Sequence, residues 1–128
     1  MSVSITALYA AILALIMMAL GINVTVHRVK LKVSLGDGGN PQMLRMIRLH
    51  ANAVEYLPIA LILMALYELN AGWPLVLHVI GGTLILGRLL QTLGMWLSDA
   101  PGPARGTGQT LTWASIVALA FINLGRLV

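Results

Sequence analysis

Arg45-Met46-Ile47-Arg48-Leu49-His50-Ala51-Asn52-Ala53-Val54-Glu55-Tyr56 runs without a break into Leu57-Pro58-Ile59-Ala60-Leu61-Ile62-Leu63-Met64-Ala65-Leu66. Two arginines, an asparagine and a glutamate are thereby fused to a run apolar enough to enter a bilayer. The whole chain of 128 residues has only eight Lys or Arg and four Asp or Glu, so this one segment holds a large share of its charge. Charge within hydrocarbon is costly, and marks a functional site unless a structural partner accounts for it.

Composition places the segment in a membrane. The chain is 59% hydrophobic and 9% charged, whereas a soluble domain carries about 25% charged residues to wet its surface. The net charge of +4 reflects scarce acids. No basic patch carries interleaved aromatics, so nucleic-acid binding is not expected. There is no cysteine, which excludes disulfides, thiolate metal sites and a cysteine nucleophile. Any thiol chemistry must use a thiol brought by a ligand. No two histidines have metal-ligand spacing, so no metal site is expected.

Four segments reach the roughly 20 apolar residues that cross a bilayer: about Ile5 to Val26, Met43 to Leu69, Pro74 to Leu97, and Thr110 to Leu127. Backbone in hydrocarbon must satisfy its own hydrogen bonds, so these are helices. The first lacks a basic n-region and exceeds the roughly 7–15 residues of a signal-peptide core, and reads as a retained span. The expectation is an all-α, four-transmembrane-helix bundle with a single domain over residues 1–128. The basic collar His27-Arg28-Val29-Lys30-Leu31-Lys32 could continue helix one. Asn70-Ala71-Gly72-Trp73 is a tight link, with Tyr67 and Trp73 where an aromatic belt would lie. Ser98 to Gln109 is rich in Pro and Gly and reads as an irregular loop.

With four spans, loops one and three share a side. Arg28, Lys30, Lys32, Arg45, Arg48 and Arg105 gather there, with Arg126 alone opposite. The positive-inside rule puts loops one and three in the cytoplasm and both termini outside.

On an ideal helix Arg45, Arg48, Asn52, Glu55 and Tyr56 fall within an arc of about 100° and rise about 15 Å from the interface inward. His50 points to the other side. Pro58 removes the bond to the Val54 carbonyl and is expected to kink the helix beside Glu55. Arg88, Gln91 and Met95 form a second stripe on helix three. Gly81, Gly82, Gly87 and Gly94 permit close helix approach there. Bland readings stand beside these. Arg48, Arg88 and Glu55 also suit a buried ion network that only fixes helix register, and Arg45 an arginine snorkelling to headgroups. His50 and His78 suit packing, Tyr9 an interfacial anchor, and Met17, Met18 and Met64 lipid-facing or core filler. As a ligand site, the stripe suits a small zwitterion with more negative than positive groups. Arginine forks match carboxylates, Glu55 could receive an ammonium group, and Asn52 matches an amide. Glutathione has that pattern; an anionic headgroup or amino acid would fit too.

Arg45 through Pro58 resembles the second-helix signature of the membrane-associated proteins in eicosanoid and glutathione metabolism (MAPEG). Gly36-Asp37-Gly38-Gly39 and Gly87-Arg88-Leu89-Leu90 make the bacterial branch the better fit, and the resemblance covers nearly the whole chain. It implies a homotrimer with glutathione between neighbouring subunits near the cytoplasmic side. It also implies that Arg48, Asn52, Glu55 and Tyr56 hold glutathione with help from Arg88, Gln91 and Arg45. His50 would reach in from the adjacent subunit, and Arg105 or Arg28 would favour the thiolate. One departure bears on activity. Where the family's eicosanoid synthases have tyrosine or histidine after the helix-three arginine, and tyrosine one turn further, this chain has Gln91 and Met95. Glutathione binding therefore carries over better than any particular reaction.

The expectation is an inner-membrane glutathione transferase or peroxidase, with glutathione as co-substrate and a lipophilic second substrate arriving through the lipid. The alternatives are a catalytically inactive relative with a binding or structural role, and a small proton-coupled transporter using Glu55.

Overall fold

Proline starts three of the four helices. The computed structural model describes residues 2–126. In it α1 spans Ser4–Leu31, α2 Pro41–Leu69, α3 Pro74–Leu97 and α4 Pro103–Leu124. Proline suits the first helical position because its φ is already helical and the N–H it lacks would have had no partner there. Pro41 follows Asn40, whose side-chain oxygen accepts the Met43 amide at 3.1 Å. Pro74 and Pro103 follow Trp73 and Gly102, both extended. The stretch expected to be an irregular loop from Ser98 to Gln109 is therefore helical from Pro103 onward, and only residues 98–102 link α3 to α4. Arg105 lies in the first turn of α4 rather than in a loop. The expected end of the fourth span, Leu127, falls outside the described residues.

α1 takes in the basic collar and ends at Lys32, which adopts a left-handed cap at φ 55°. The Val33 amide then donates to the Arg28 carbonyl at 3.0 Å. α2 runs through Pro58 as one element.

α2 and α3 occupy the middle of the bundle. α1 packs against both from one side and α4 against both from the other; among the described residues α1 and α4 do not pack on each other. The core is thin, built on Leu13, Met43, Met64, Leu77, Leu84 and Leu119, all fully buried. The outside is apolar: Leu15, Leu75 and Phe121 are 73%, 71% and 70% exposed. All four helices are long and apolar enough to cross a membrane, and such an exterior is one that hydrocarbon rather than water solvates.

α3 and α4 meet backbone to backbone. A Cβ on Gly87 would lie 2.9 Å from the Gly108 carbonyl oxygen, and one on Gly108 would strike the Gly87 carbonyl and the Gln91 amide. Gly81 lies under the Tyr9 ring and Gly94 against the backbone of Arg105, but Gly82, expected to act with them, faces open space.

The opposite end of the bundle is closed by polar groups that local sequence did not reveal. Val3, at the start of α1, offers no side-chain cap. The carboxylate of Glu68, from the last turn of α2, accepts the amides of Ile5 at 2.9 Å and Thr6 at 2.7 Å. It meets two unpaired donors and the positive end of the helix dipole together. Tyr67 is buried, and its hydroxyl accepts the Trp73 amide at 3.1 Å. It closes the α2–α3 turn and does not belong to an aromatic belt; Trp73 stays exposed. The Tyr9 hydroxyl lies 3.0 Å from His78 Nδ1, tying α1 to α3 near the same end. Replacing Glu68 by Ala is expected to cost roughly 1–2 kcal/mol, the usual worth of a helix cap. The loss is read as a lower thermal unfolding midpoint in detergent, with Glu68→Gln losing less.

Candidate functional site

Arg88 stands in an otherwise apolar part of α3 and is only 2% exposed. Its Nη1 donates to Asn52 Oδ1 at 2.6 Å, and its Nε and Nη2 donate to the Thr112 hydroxyl oxygen at 3.2 and 2.5 Å. Thr112 in turn donates to the Gly108 carbonyl at 3.1 Å. The two ion pairs among the described residues are Arg45–Asp99 and Arg48–Glu55, so Arg88 is held by dipoles of α2 and α4 alone. The close contact of Gly87 with Gly108 lets Thr112 reach the guanidinium. Asn52 is thus braced from behind, and its orientation is fixed where it faces the open side of the bundle.

Two adjoining clefts lie in front of this brace. The first, about 250 Å³, is lined by Arg45, Arg48, Arg105, Asp99 and Met95. The second, about 360 Å³, is lined by Asn52, Tyr56, Gln91, Gln109 and Trp113. Arg105 belongs to both, as the first turn of α4 separates them. Arg45 forms an ion pair with Asp99 across the α3–α4 link, so it is more than an arginine reaching for headgroups. Arg48 and Glu55, two helical turns apart, meet through both prongs at 3.3 and 3.4 Å. Each of the two side chains is about half exposed, 49% and 48%. Their pairing therefore sits on the outer flank of α2. The Tyr56 and Trp113 rings meet edge to face at 6.4 Å, bridging α2 and α4 beside the second cleft.

Arg45, Arg48, Asn52, Tyr56, Gln91 and Arg105 thus come together around the clefts, Arg88 supports them, and Glu55 joins through Arg48. Arg28 and His50 do not join them within this chain. Arg28 Nη1 donates to the carbonyls of Gly36 at 2.8 Å and Val33 at 3.4 Å, which folds the first loop back onto the end of α1. His50 turns to α1 of its own chain, where a Cβ on Gly21 would lie 3.2 Å from its Nε2. Asp99, Gln109, Thr112 and Trp113 were not singled out from the sequence. One signal was available: Arg105, Gln109 and Thr112 are spaced by four and three, as residues on one helical face are. Among the described residues no cluster of three His, Asp or Glu could hold a metal.

Fold and clefts together define a four-helix membrane protein with a cationic, partly buried polar site at the bundle end that carries the first and third loops. The chain belongs to the MAPEG family, whose profile matches residues 6–125. It is 34% identical over 126 residues to inner membrane protein YecN of Escherichia coli strain K12, an overlap of 94% of this chain and 90% of that protein. The YecN protein of E. coli O6:H1 matches equally well. The family is the one that Arg45 to Pro58 resembles.

Thr112→Val keeps the shape of the side chain but leaves two donors of Arg88 without an acceptor. The expected loss is about 1–3 kcal/mol, seen as a lower unfolding midpoint in detergent, while Thr112→Ser stays near the parent protein.

Proposed function

We propose that this chain is an inner-membrane homotrimer that binds glutathione in the two clefts and presents its thiolate to a lipophilic electrophile or hydroperoxide. The observation that carries the reading is the convergence of Arg45, Arg48 and Arg105 on one cleft that shares Arg105 with an almost uncharged neighbouring cleft. Arginine forks suit the two carboxylates of the tripeptide. Asn52, held in place by Arg88, suits a peptide group. Glu55 either leaves Arg48 for the ligand's ammonium group or accepts hydrogen bonds from both.

Arg105 is the residue proposed to favour the thiolate, because it stands between the clefts in the first turn of α4. A guanidinium beside a thiol stabilises the anion, which is the nucleophile. With an aryl chloride as acceptor, the sulfur forms a bond to the ring carbon and chloride leaves with the bonding pair. The thiol proton passes to water. The protein contributes positioning and a fixed positive charge. Tyr56 and the half-exposed Trp113 flank the second cleft, which suits an apolar co-substrate.

Two features support the assembly and the membrane orientation. The half-exposed Arg48–Glu55 pair lies on the flank of a membrane helix, where bare hydrocarbon would be a poor solvent for it; a neighbouring copy with ligand between would cover it. The basic residues of the first loop, the start of α2 and the start of α4 lie at one end of the bundle, the end the positive-inside rule assigns to the cytoplasm. The relatives named above are inner membrane proteins.

Calorimetry of the detergent-solubilised protein tests the reading: saturable binding is expected below millimolar glutathione, and its absence at millimolar concentrations overturns it. Arg48→Ala is expected to weaken binding at least about tenfold, the worth of a charge-assisted pair, while the trimer persists in sedimentation. Loss of the trimer instead would make Arg48 a structural residue. Turnover of 1-chloro-2,4-dinitrobenzene then separates a transferase from a binding protein. For orientation, the absence of native cysteine allows single-site labelling. Cysteine at Ser34 is expected to be shielded from an impermeant maleimide in spheroplasts, and cysteine at Ala71 to react.

A further inference from the structure

Gln109 has no part in the reading above, yet it forms the most unusual polar contact in the second cleft. Gln91, 5% exposed, donates through Nε2 to Gln109 Oε1 at 2.8 Å. That single bond leaves Gln91 Oε1 and Gln109 Nε2 buried without partners. Exchanging oxygen and nitrogen in both side chains changes which residue donates but not the result, because the pair still leaves one acceptor and one donor unmatched. Buried amide groups are normally satisfied, and an orphaned pair calls for a cause. Both residues line the cleft of about 360 Å³, in which Arg105 is the sole charged lining residue.

We propose that Gln91 and Gln109 together read a peptide amide of the bound thiol. An amide offers a carbonyl oxygen and an N–H in one plane, the complement of the two unmatched atoms. The terminal torsion of glutamine is soft, so both side-chain amides can turn to face a ligand that supplies the missing partners. The division of labour follows the electrostatics. The arginine cleft takes carboxylates, and the neutral cleft takes the uncharged peptide backbone. The pair then makes the site selective for a peptide thiol over an equally anionic thiol without an amide. This inference rests on the glutathione reading and adds to it the pair of residues that distinguishes the tripeptide from simpler thiols.

The test compares glutathione with mercaptosuccinate, a dicarboxylic thiol that has no amide, by calorimetry on the full-length protein in detergent. The variant is Gln91→Leu with Gln109→Leu, which removes both partners and leaves neither orphaned. It is expected to unfold at or above the parent's midpoint. Glutathione affinity should fall about tenfold, the usual effect of losing one or two net hydrogen bonds. Mercaptosuccinate affinity should stay within about twofold. Unchanged glutathione affinity in the variant overturns the inference and leaves the glutathione reading intact. An equal loss for both thiols also overturns it. Failure of the parent protein to bind glutathione overturns both. If the double variant does not fold, Gln109→Met makes the same comparison at a half-buried position.

Discussion

A bilayer interior has no water to solvate a charge, and Arg88 is a charge that the bundle has sealed inside. Its guanidinium is met by Asn52 from α2 and Thr112 from α4, so three helices are joined by one side chain. Everything needed for that contact is built elsewhere. Gly87 and Gly108 bring α3 and α4 together closely enough for a threonine to reach. The Thr112 hydroxyl spends its own proton on the Gly108 carbonyl, leaving its lone pairs for the arginine. Asn52 is pulled to a fixed position by the same arginine. The site's geometry is therefore a by-product of satisfying one buried cation. Because only dipoles satisfy it, its positive charge still acts on whatever lies in front.

The four acidic residues of the chain are all committed. Asp37 accepts the Gly39 amide and shapes the first loop. Glu68 caps α1, and Asp99 and Glu55 hold Arg45 and Arg48. Arg105 and Arg88 have no acidic partner among the described residues, so positive charge is left uncompensated at and behind the clefts; Arg28, Lys30, Lys32 and Arg126 carry the rest of it away from them. That charge, next to a neutral amide-lined space, is what the proposed anionic peptide would meet.

Sequence periodicity made much of this legible and left identifiable gaps. The polar stripe of α2 could be read because its spacings of three and four have no other economical explanation. The start of α4 could not. Pro103, Gly106 and Gly108 look like loop residues in isolation; the first is a helix N1 proline and the last a packing contact with α3. Thr112 and Gln109 were hidden as ordinary polar residues in the least apolar of the four helices, since nothing local says which helix they will meet. His50 shows the limit of a helical wheel. The wheel gave its direction correctly, away from the stripe, but could not tell whether α1 of the same chain or another subunit would stand there. Arg28 was expected near the ligand only through the family resemblance; within this chain its partners are carbonyls of a loop that curls back on it.

Glu68 reaches Ile5 and Thr6 across 63 and 62 positions of sequence. Chains are made from the amino end, so helix one is synthesised well before the Glu68 side chain that caps it. While the ribosome is still working through residues 6 to 67, the leading amides of that helix must rely on water or lipid headgroups. They gain their permanent acceptor only when the last turn of helix two arrives beside them. Helix one is thus capped from within the protein only as one of a pair of helices. A truncated product ending before residue 68 would lack the clasp that keeps that pair in register.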